Sequence, residues 1–123
     1  MNSTQTAITS TPTLTPEQRL DTPHRMVSRL LEGAVRRLQR AEDEIRRHEH
    51  ESLRAAVAIV EALQDSLDLV RGGQLAANLF DLYDYMLRRL AVAREHADAD
   101  PLREVAGLLD TIREGWDAIA SEV

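Results

Sequence analysis

The sequence predicts an all-α fold, an antiparallel four-helix bundle preceded by a flexible N-terminal segment. Apolar residues recur every three or four positions through four successive stretches, as on the buried face of a helix. Glycine, proline and capping residues separate those stretches by short connections, which favours antiparallel neighbours. No stretch shows the sustained alternation of apolar and polar residues that a half-buried strand requires.

Residues 1–21 are predicted to form a flexible tail, and residues 22–123 a single bundle domain. The tail is rich in Thr, Ser and Pro and holds few apolar residues. Such a segment buries too little surface to offset the entropy lost on ordering it. Thr15 followed by Pro16 has the pattern of a helix start, so a short extra helix of marginal stability fits there.

The first helix is predicted to begin at Thr22 and Pro23, because a capping hydroxyl precedes a ring that the first helical position tolerates. Two apolar stripes run along this helix. The first comprises Met26, Leu30, Ala34, Leu38, Ala41 and Ile45, and the second Val27, Leu31 and Val35. A surface helix needs only one stripe, so the helix either buries two sides or presents one to a partner.

The second helix is predicted to follow the polar run at residues 46–51 and to end at Gly72 and Gly73, since glycine commonly terminates helices. Its apolar positions are Leu53, Val57, Val60, Leu63, Leu67 and Val70. The third helix is predicted from about Leu75 to Glu95. Its apolar side comprises Leu75, Leu79, Leu82, Met86, Leu90 and Ala93.

The fourth helix is predicted to begin with Asp100 as its cap and Pro101 in its first turn. Its apolar positions are Leu102, Val105, Leu109, Ile112, Trp116 and Ile119.

Composition excludes several classes of protein. The chain has 21 acidic residues against 15 basic ones, all arginine, and a net charge of -6, which argues against nucleic-acid binding. It contains no cysteine, so disulfides and zinc–thiolate sites are not expected. No apolar run approaches the roughly 20 residues that cross a bilayer, and the N-terminus lacks the features of a signal peptide. We therefore expect a cytoplasmic protein without membrane insertion.

Metal binding and catalysis are poorly supported by the motifs. Helical bundles often hold metals on Glu-x-x-His motifs, but no histidine here follows a glutamate at that spacing. Asp98 and Asp100 lack the further acidic ligand and glycine of a calcium loop. The potential acid–base groups Asp81, Tyr83, Asp84 and Tyr85 diverge around one helix and cannot converge on a substrate. We expect no cofactor, no metal and no enzymatic activity.

The third helix carries three of the four aromatic residues of the chain, which indicates recognition of another protein. The predicted partner-binding residues are the surplus apolar positions of the first helix, its neighbouring Leu30 and three residues of the third helix: Val27, Leu30, Leu31, Val35, Tyr83, Tyr85 and Met86. Tyr and Met are common at interaction surfaces, but packing in the core explains the last three equally well.

Four further residues are predicted to have architectural roles. Trp116 is expected to fill the core, because large aromatic residues are mostly buried. Asn78 is expected to cap or bridge helices, and Arg89 to pair with a carboxylate across the bundle. Gly33 is expected to permit close approach of two helices, since glycine inside a helix costs about 1 kcal/mol relative to alanine.

Several short segments, in one order and spacing, match a known family. They are Thr22–Pro23 with Leu-Leu-Glu-Gly-Ala at 30–34; Ile-Val-Glu-Ala-Leu at 59–63 with Ser-Leu-Asp at 66–68 and Gly-Gly at 72–73; Ala-Asn-Leu at 77–79 with Leu-Tyr-Asp-Tyr-Met at 82–86 and Arg-Leu at 89–90; and Glu-Val at 104–105, Leu-Leu at 108–109 and Ile-Arg at 112–113 before Trp116. From about residue 22 to 119 the chain resembles the FliS-type flagellar secretion chaperones.

This resemblance implies a cytoplasmic chaperone that binds the disordered C-terminal region of flagellin. Such a chaperone prevents premature polymerisation and aids delivery of flagellin to the flagellar type III export apparatus. The resemblance also implies that the chaperone's own tail covers the client groove when it is empty. Here the tail residues Ile8, Leu14 and Leu20 would do so.

The sequence departs from the family pattern in places. Leu31 stands where the family usually has Tyr, the tail has no aromatic residue, and Ala93–Arg94 stands where Ala-Asn is common. An export-gate component or a co-chaperone is a further partner left open, and a monomer or weak homodimer is expected. The alternative is a self-associating helical-bundle scaffold or regulator without chaperone activity.

Overall fold

The computed structural model describes residues 23–120, and side chains as far as residue 118. This range consists of four α-helices, α1 (Pro23–Arg46), α2 (Glu51–Asp65), α3 (Leu69–His96) and α4 (Asp100–Ala120), with no strand in it. The all-α class and the four helices are therefore confirmed. The predicted cap at Thr22, the short extra helix near Thr15 and the side chain of Ile119 lie outside what the structure describes.

The four helices pack as a ring in which each contacts the next and α4 returns to α1. The seams that α1 forms with α2 and α4 are more extensive than the two seams that α3 forms. Three-to-four-residue connections join successive helices, so neighbours run antiparallel. The start of α1, the end of α2, the start of α3 and the end of α4 consequently share one end of the bundle, here called the N-terminal end.

Four positions of the predicted apolar stripes, Met26, Leu30, Val70 and Leu75, are exposed and not buried. The core draws on the other predicted apolar positions of all four helices and also includes Ala56 and Tyr83. Its members are Leu31, Ala34, Leu38, Ala41, Ile45, Leu53, Ala56, Val60, Leu63, Tyr83, Met86, Leu90, Ala93, Leu102, Val105 and Leu109. Burying each large member stabilises the fold by about 1.5–3 kcal/mol relative to exposure. The core includes both stripes of α1, because Leu31 and Leu38 are each fully buried.

The predicted boundary between the second and third helices was wrong. Helix α2 ends at Asp65, where the Ser66 hydroxyl donates to the Leu63 carbonyl at 2.7 Å. Asp68 then starts α3 by accepting hydrogen bonds from the backbone N–H groups of Val70 (3.1 Å) and Arg71 (3.0 Å). The aspartate cap begins a helix before the glycine pair is reached. The glycines therefore lie inside α3, where they produce a kink and not an end.

Glu44 of α1 caps the first turn of α2 from across the connection. Its carboxylate accepts the Ser52 backbone N–H at 3.0 Å and the Ser52 hydroxyl at 2.6 Å. The side chain of His50, the residue before α2, makes no capping hydrogen bond. The hydrogen bonds from Ser52, first the hydroxyl and then the N–H, hold the pKa of Glu44 below its ordinary value. The carboxylate thus satisfies a helix start that lacks a local cap.

Replacing Glu44 with Ala is expected to lower the melting temperature by a few degrees, because two donors on buried Ser52 lose their acceptor. Thermal unfolding followed by circular dichroism at neutral pH measures this. Since the folded-state pKa of Glu44 is lowered, the difference in melting temperature between the variant and the wild type should shrink as the pH falls through that pKa. Asp43→Ala, at an exposed neighbouring position, is the control. An equal loss in that variant would contradict the capping role.

Candidate partner-binding site

An open apolar cleft of about 390 Å³ lies at the N-terminal end of the bundle, and all four helices contribute to it. Its apolar lining comprises Val27, Leu63, Leu67, Leu75, Ala76, Leu79, Tyr83, Ile112 and Trp116, and its other lining residues are Ser66, Asp68, Arg71 and Gly72. A concave, mainly apolar surface with few polar groups is typical of a binding site.

Trp116 forms a fixed wall of the cleft. Its indole Nε1 donates to the backbone carbonyl of His24 at 2.8 Å, and its ring stacks on the His24 imidazole with centroids 4.5 Å apart. The side chain is half-buried and packs against the core. Trp116 therefore has both the predicted packing role and a face in the cleft that was not predicted.

The kinked start of α3 forms the opposite wall. Gly73 adopts φ 57°, in the left-handed region, so the turn at residues 69–72 departs from the axis of the rest of α3. A Cβ atom on Gly72 would lie 2.5 Å from the Cβ of Ala76, which is too close for any side chain. Both glycines are thus required by this geometry, which brings Leu75 and Leu79 into the lining.

Large apolar side chains are exposed around this end of the bundle. Leu69, Val70 and Leu75 at the start of α3 are 51%, 92% and 62% exposed, and Met26 at the start of α1 is 54% exposed. A cluster of exposed large apolar side chains indicates a protein interaction surface, whereas apolar residues exposed singly are normal. The cleft and its exposed border are the best candidate for a docking site in the described residues.

The predicted partner-binding residues do not form one surface. Leu31 and Met86 are fully buried, so their assignment to a groove wall is corrected to the core. Tyr83 is 3% exposed but lines the cleft, and burial raises the pKa of its phenol to about 12. Val27 also lines the cleft.

The remaining members of that set lie elsewhere. Leu30 is exposed without lining the cleft, and Val35 is half-buried against the core. Of the seven predicted positions, Val27 and Tyr83 are therefore the ones that the structure brings to the cleft. The tail residues Ile8, Leu14 and Leu20 lie outside the described residues.

Tyr85 belongs to a polar clamp between α3 and α4. Its hydroxyl donates to Glu104 Oε2 at 2.5 Å, and Arg89 Nε donates to Glu104 Oε1 at 2.7 Å. Hydrogen bonds from Tyr85 and then Arg89 lower the pKa of Glu104, and the same bonds raise the pKa values of Tyr85 and Arg89. Arg89 thus pairs with a carboxylate on the neighbouring helix, and Tyr85 has an architectural partner.

Glu104→Gln is expected to lower the melting temperature more at about pH 7 than at about pH 3. The lowered folded-state pKa means that the clamp stabilises the fold above the unfolded-state pKa and loses this contribution as the pH falls through the folded-state value. Calorimetric melting at both pH values measures the difference. Asp81→Asn, at an exposed position of α3, is the control. An equal loss at both pH values would count against the clamp.

Asn78 and Gly33 differ from their predicted roles. Asn78 is exposed and accepts a hydrogen bond from Gln74 of the same helix at 2.8 Å, so it neither caps α3 nor bridges to another helix in the described structure. A Cβ atom on Gly33 would lie 3.8 Å from Ile59 Cδ1 and 3.5 Å from Arg37 Nη1, which is ordinary contact. Close helix approach therefore does not require glycine at this position.

Gly33→Ala is expected to raise the free energy of unfolding by about 0.5–1 kcal/mol, because alanine restricts the unfolded chain and the added methyl group has room. Urea unfolding at neutral pH measures the change. Gly73→Ala, at φ 57°, should instead lower the stability. Destabilisation by Gly33→Ala would show that α1 and α2 cannot accommodate one methyl group at their contact.

Residues 23–120 support neither a metal site nor a membrane-spanning helix. That range holds no group of three or more His, Asp or Glu side chains placed to bind a metal ion. In the same range, no helix combines the length and the apolar character needed to cross a membrane.

A four-helix bundle with an open apolar cleft at one end has the form used for helix-in-groove recognition. The sequence profile of the family described as Flagellar protein FliS matches residues 13–123. The chain therefore belongs to the FliS family.

Individual relatives extend this result. The chain is 37% identical over 102 residues to the flagellar secretion chaperone FliSB of Pseudomonas aeruginosa, covering 80% of this chain and 81% of the relative. It is 39% identical over 103 residues to FliS of Salmonella typhimurium, a match that covers 80% of this chain and 76% of the relative. It is 32% identical over 106 residues to FliS of Bacillus subtilis, a match that covers 82% of this chain and 78% of the relative. Both are named flagellar secretion chaperones.

Proposed function

We propose that this protein is a cytoplasmic flagellar export chaperone that acts by binding and not by catalysis. Its client is the disordered C-terminal region of flagellin. Binding prevents premature polymerisation and aids delivery to the flagellar type III export apparatus. The observation that carries the proposal is the apolar cleft with its exposed apolar border, in a chain related to flagellar secretion chaperones.

The cleft suits an amphipathic client segment. Apolar client side chains would contact Leu75, Leu79 and Trp116, as in the recognition of a helix in a groove. The exposed side chains of Leu69 and Met26 extend the apolar surface beyond the cleft itself. A disordered client must lose conformational freedom on binding, which costs about 2–5 kcal/mol of the gross interaction and keeps the complex releasable.

The tail of the chaperone is proposed to cover the cleft when no client is bound. The first described residue, Pro23, lies one turn before Val27, which lines the cleft. The tail is therefore attached at this end of the bundle, and Ile8, Leu14 and Leu20 are the apolar residues able to fill it. Deleting residues 1–20 is expected to increase client affinity and the binding of an apolar dye. If both stay unchanged, the tail has no shielding role.

Titration with the C-terminal segment of flagellin from the same organism tests the main proposal. Saturable one-to-one binding, a negative heat-capacity change by calorimetry and a gain of helix by far-ultraviolet circular dichroism are expected. The absence of binding at tens of micromolar (about 10⁻⁵ M, a weak interaction), with the segment confirmed soluble and monomeric, would overturn the proposal.

The second candidate is a self-associating scaffold or regulator, favoured by the exposed Leu69 and Val70. Sedimentation velocity of the free chain separates the two functions. A monomer or weak homodimer accords with the chaperone, whereas a tight oligomer that buries these residues and excludes flagellin would favour the scaffold. An export-gate component or a co-chaperone remains a further partner in the first case.

A further inference from the structure

A second groove lies between α2 and α3, nearer the end of the bundle where α3 ends. Its volume is about 290 Å³, and its floor is formed by Leu53, Val57, Leu87, Leu90 and Ala91. It shares no lining residue with the apolar cleft. The two grooves are therefore separate surfaces of the bundle.

Two arginines border this groove without an ion-pair partner. Arg54 of α2 and Arg94 of α3 are both exposed, and neither side chain pairs with a carboxylate within the part of the chain that the structure describes. On α3 the neighbouring Arg88 and Arg89 do pair, with Asp84 and Glu104. In a chain with a net charge of -6, two unpaired arginines beside an apolar floor form a local site of positive charge.

We propose that this groove binds an acidic amphipathic segment of a partner protein. Apolar side chains of the segment contact the floor, and carboxylates beside them accept hydrogen bonds from Arg54 and Arg94. Guanidinium groups suit this role, because their planar fork of donors matches the geometry of a carboxylate. Glu61 borders the same groove and would disfavour carboxylates at its own position, which gives the bound segment a direction.

The tail of the same chain is a poor occupant. Its acidic residues are Glu17 and Asp21, and the farther of them is six residues from Pro23, about 21 Å at full extension. Arg54 lies about 30 Å from Pro23 along the bundle, given 1.5 Å of rise per helical residue. Only a fully extended tail, with both side chains stretched toward each other, would bring Glu17 near Arg54, and such extension is entropically unfavourable. The inference also does not depend on the proposed function, because it concerns another surface.

A labelled peptide tests the proposal on the full-length protein by fluorescence anisotropy at low salt. The probe is an Ala-based helical peptide of about 20 residues with two leucines one turn apart and two glutamates in the adjacent turn. Saturable binding is expected. The double variant Arg54→Glu/Arg94→Glu should weaken it by at least about tenfold, since both charges change sign. Ala91→Trp, which fills the groove at an exposed position, should weaken it similarly.

Matched controls identify the surface. Arg36→Glu/Arg40→Glu, which reverses two exposed charges of α1 outside the groove, should leave the affinity unchanged. A peptide with Gln in place of Glu should bind more weakly. Leu75→Glu, in the other cleft, should bind the probe normally. Absence of binding, equal binding by Arg54→Glu/Arg94→Glu, or loss of binding with Leu75→Glu would overturn the proposal.

A second copy of this chain is the alternative occupant, and the experiment must distinguish it from an acidic partner segment. If the free protein dimerises and Ala91→Trp abolishes the dimer while the probe fails to bind, the groove is a self-association surface, and the proposal of an acidic partner segment is overturned. Titration of Ala91→Trp with the flagellin segment tests the proposed function separately from the peptide probe. Normal flagellin binding by that variant leaves the proposed function standing whatever the probe shows.

Discussion

Leu75→Glu is expected to weaken binding of the flagellin C-terminal segment by at least about thirtyfold, or about 2 kcal/mol, while leaving the bundle folded. Leu75 is 62% exposed in the free protein, so its replacement costs the core little. In the proposed complex the client would cover this position of the cleft, where a carboxylate would lose water without gaining a partner. Calorimetric titration and far-ultraviolet circular dichroism measure the two effects.

The matched control for this variant is Gln74→Glu. Gln74 is exposed and precedes Leu75 on the same kinked start of α3, but it belongs neither to the cleft lining nor to its apolar border. The variant adds the same charge to the same segment, so long-range electrostatic effects on flagellin should be similar. If both variants weaken binding equally, charge and not occupancy of the cleft controls the affinity, and the cleft is not the client site.

Leu31→Ala is expected to reduce the free energy of unfolding by about 2–5 kcal/mol. The side chain is fully buried, so its truncation removes packing and leaves a cavity. Total stability of a small domain is typically about 5–15 kcal/mol, so this variant should be close to the limit of folding at moderate temperature. Urea or guanidinium unfolding at neutral pH gives the difference.

Leu30→Ala provides the comparison one residue away. Leu30 is 36% exposed, and its truncation should cost less than about 1 kcal/mol because the lost methyl groups are already partly hydrated. A cost for Leu30→Ala as large as that for Leu31→Ala would mean that α1 is rotated about its axis relative to this structure. The pair therefore tests the orientation of the helix as well as its burial.

Much of the bundle was predictable because helical periodicity is a local property of the chain. The apolar positions of α4, from Leu102 to Leu109, repeat with the expected spacing and are buried as expected. The boundary between α2 and α3 was not predictable in the same way. A glycine pair can end a helix or kink it, and the outcome here depends on the Asp68 side chain capping a turn upstream.

The site was less accessible to sequence reasoning, because spacing assigns residues to stripes without fixing how each helix is rotated in the bundle. Leu31 and Met86 belong to stripes that were as consistent with a groove as with a core. The cleft exists because helices of unequal length leave space at one end, and because Gly73 turns the start of α3 away from the axis. The single tryptophan was an available signal, since its indole N–H requires an acceptor.

The contact between Trp116 and His24 has a consequence for the kinetics of folding. It joins residues 92 apart in sequence, as does the neighbouring bond from Ser28 to Asp117 at a separation of 89, whereas the contacts between consecutive helices are more local. Long-range closure costs more chain entropy and tends to come late. Substitutions in this seam should therefore accelerate unfolding more than they slow refolding, which the indole emission of Trp116 can follow.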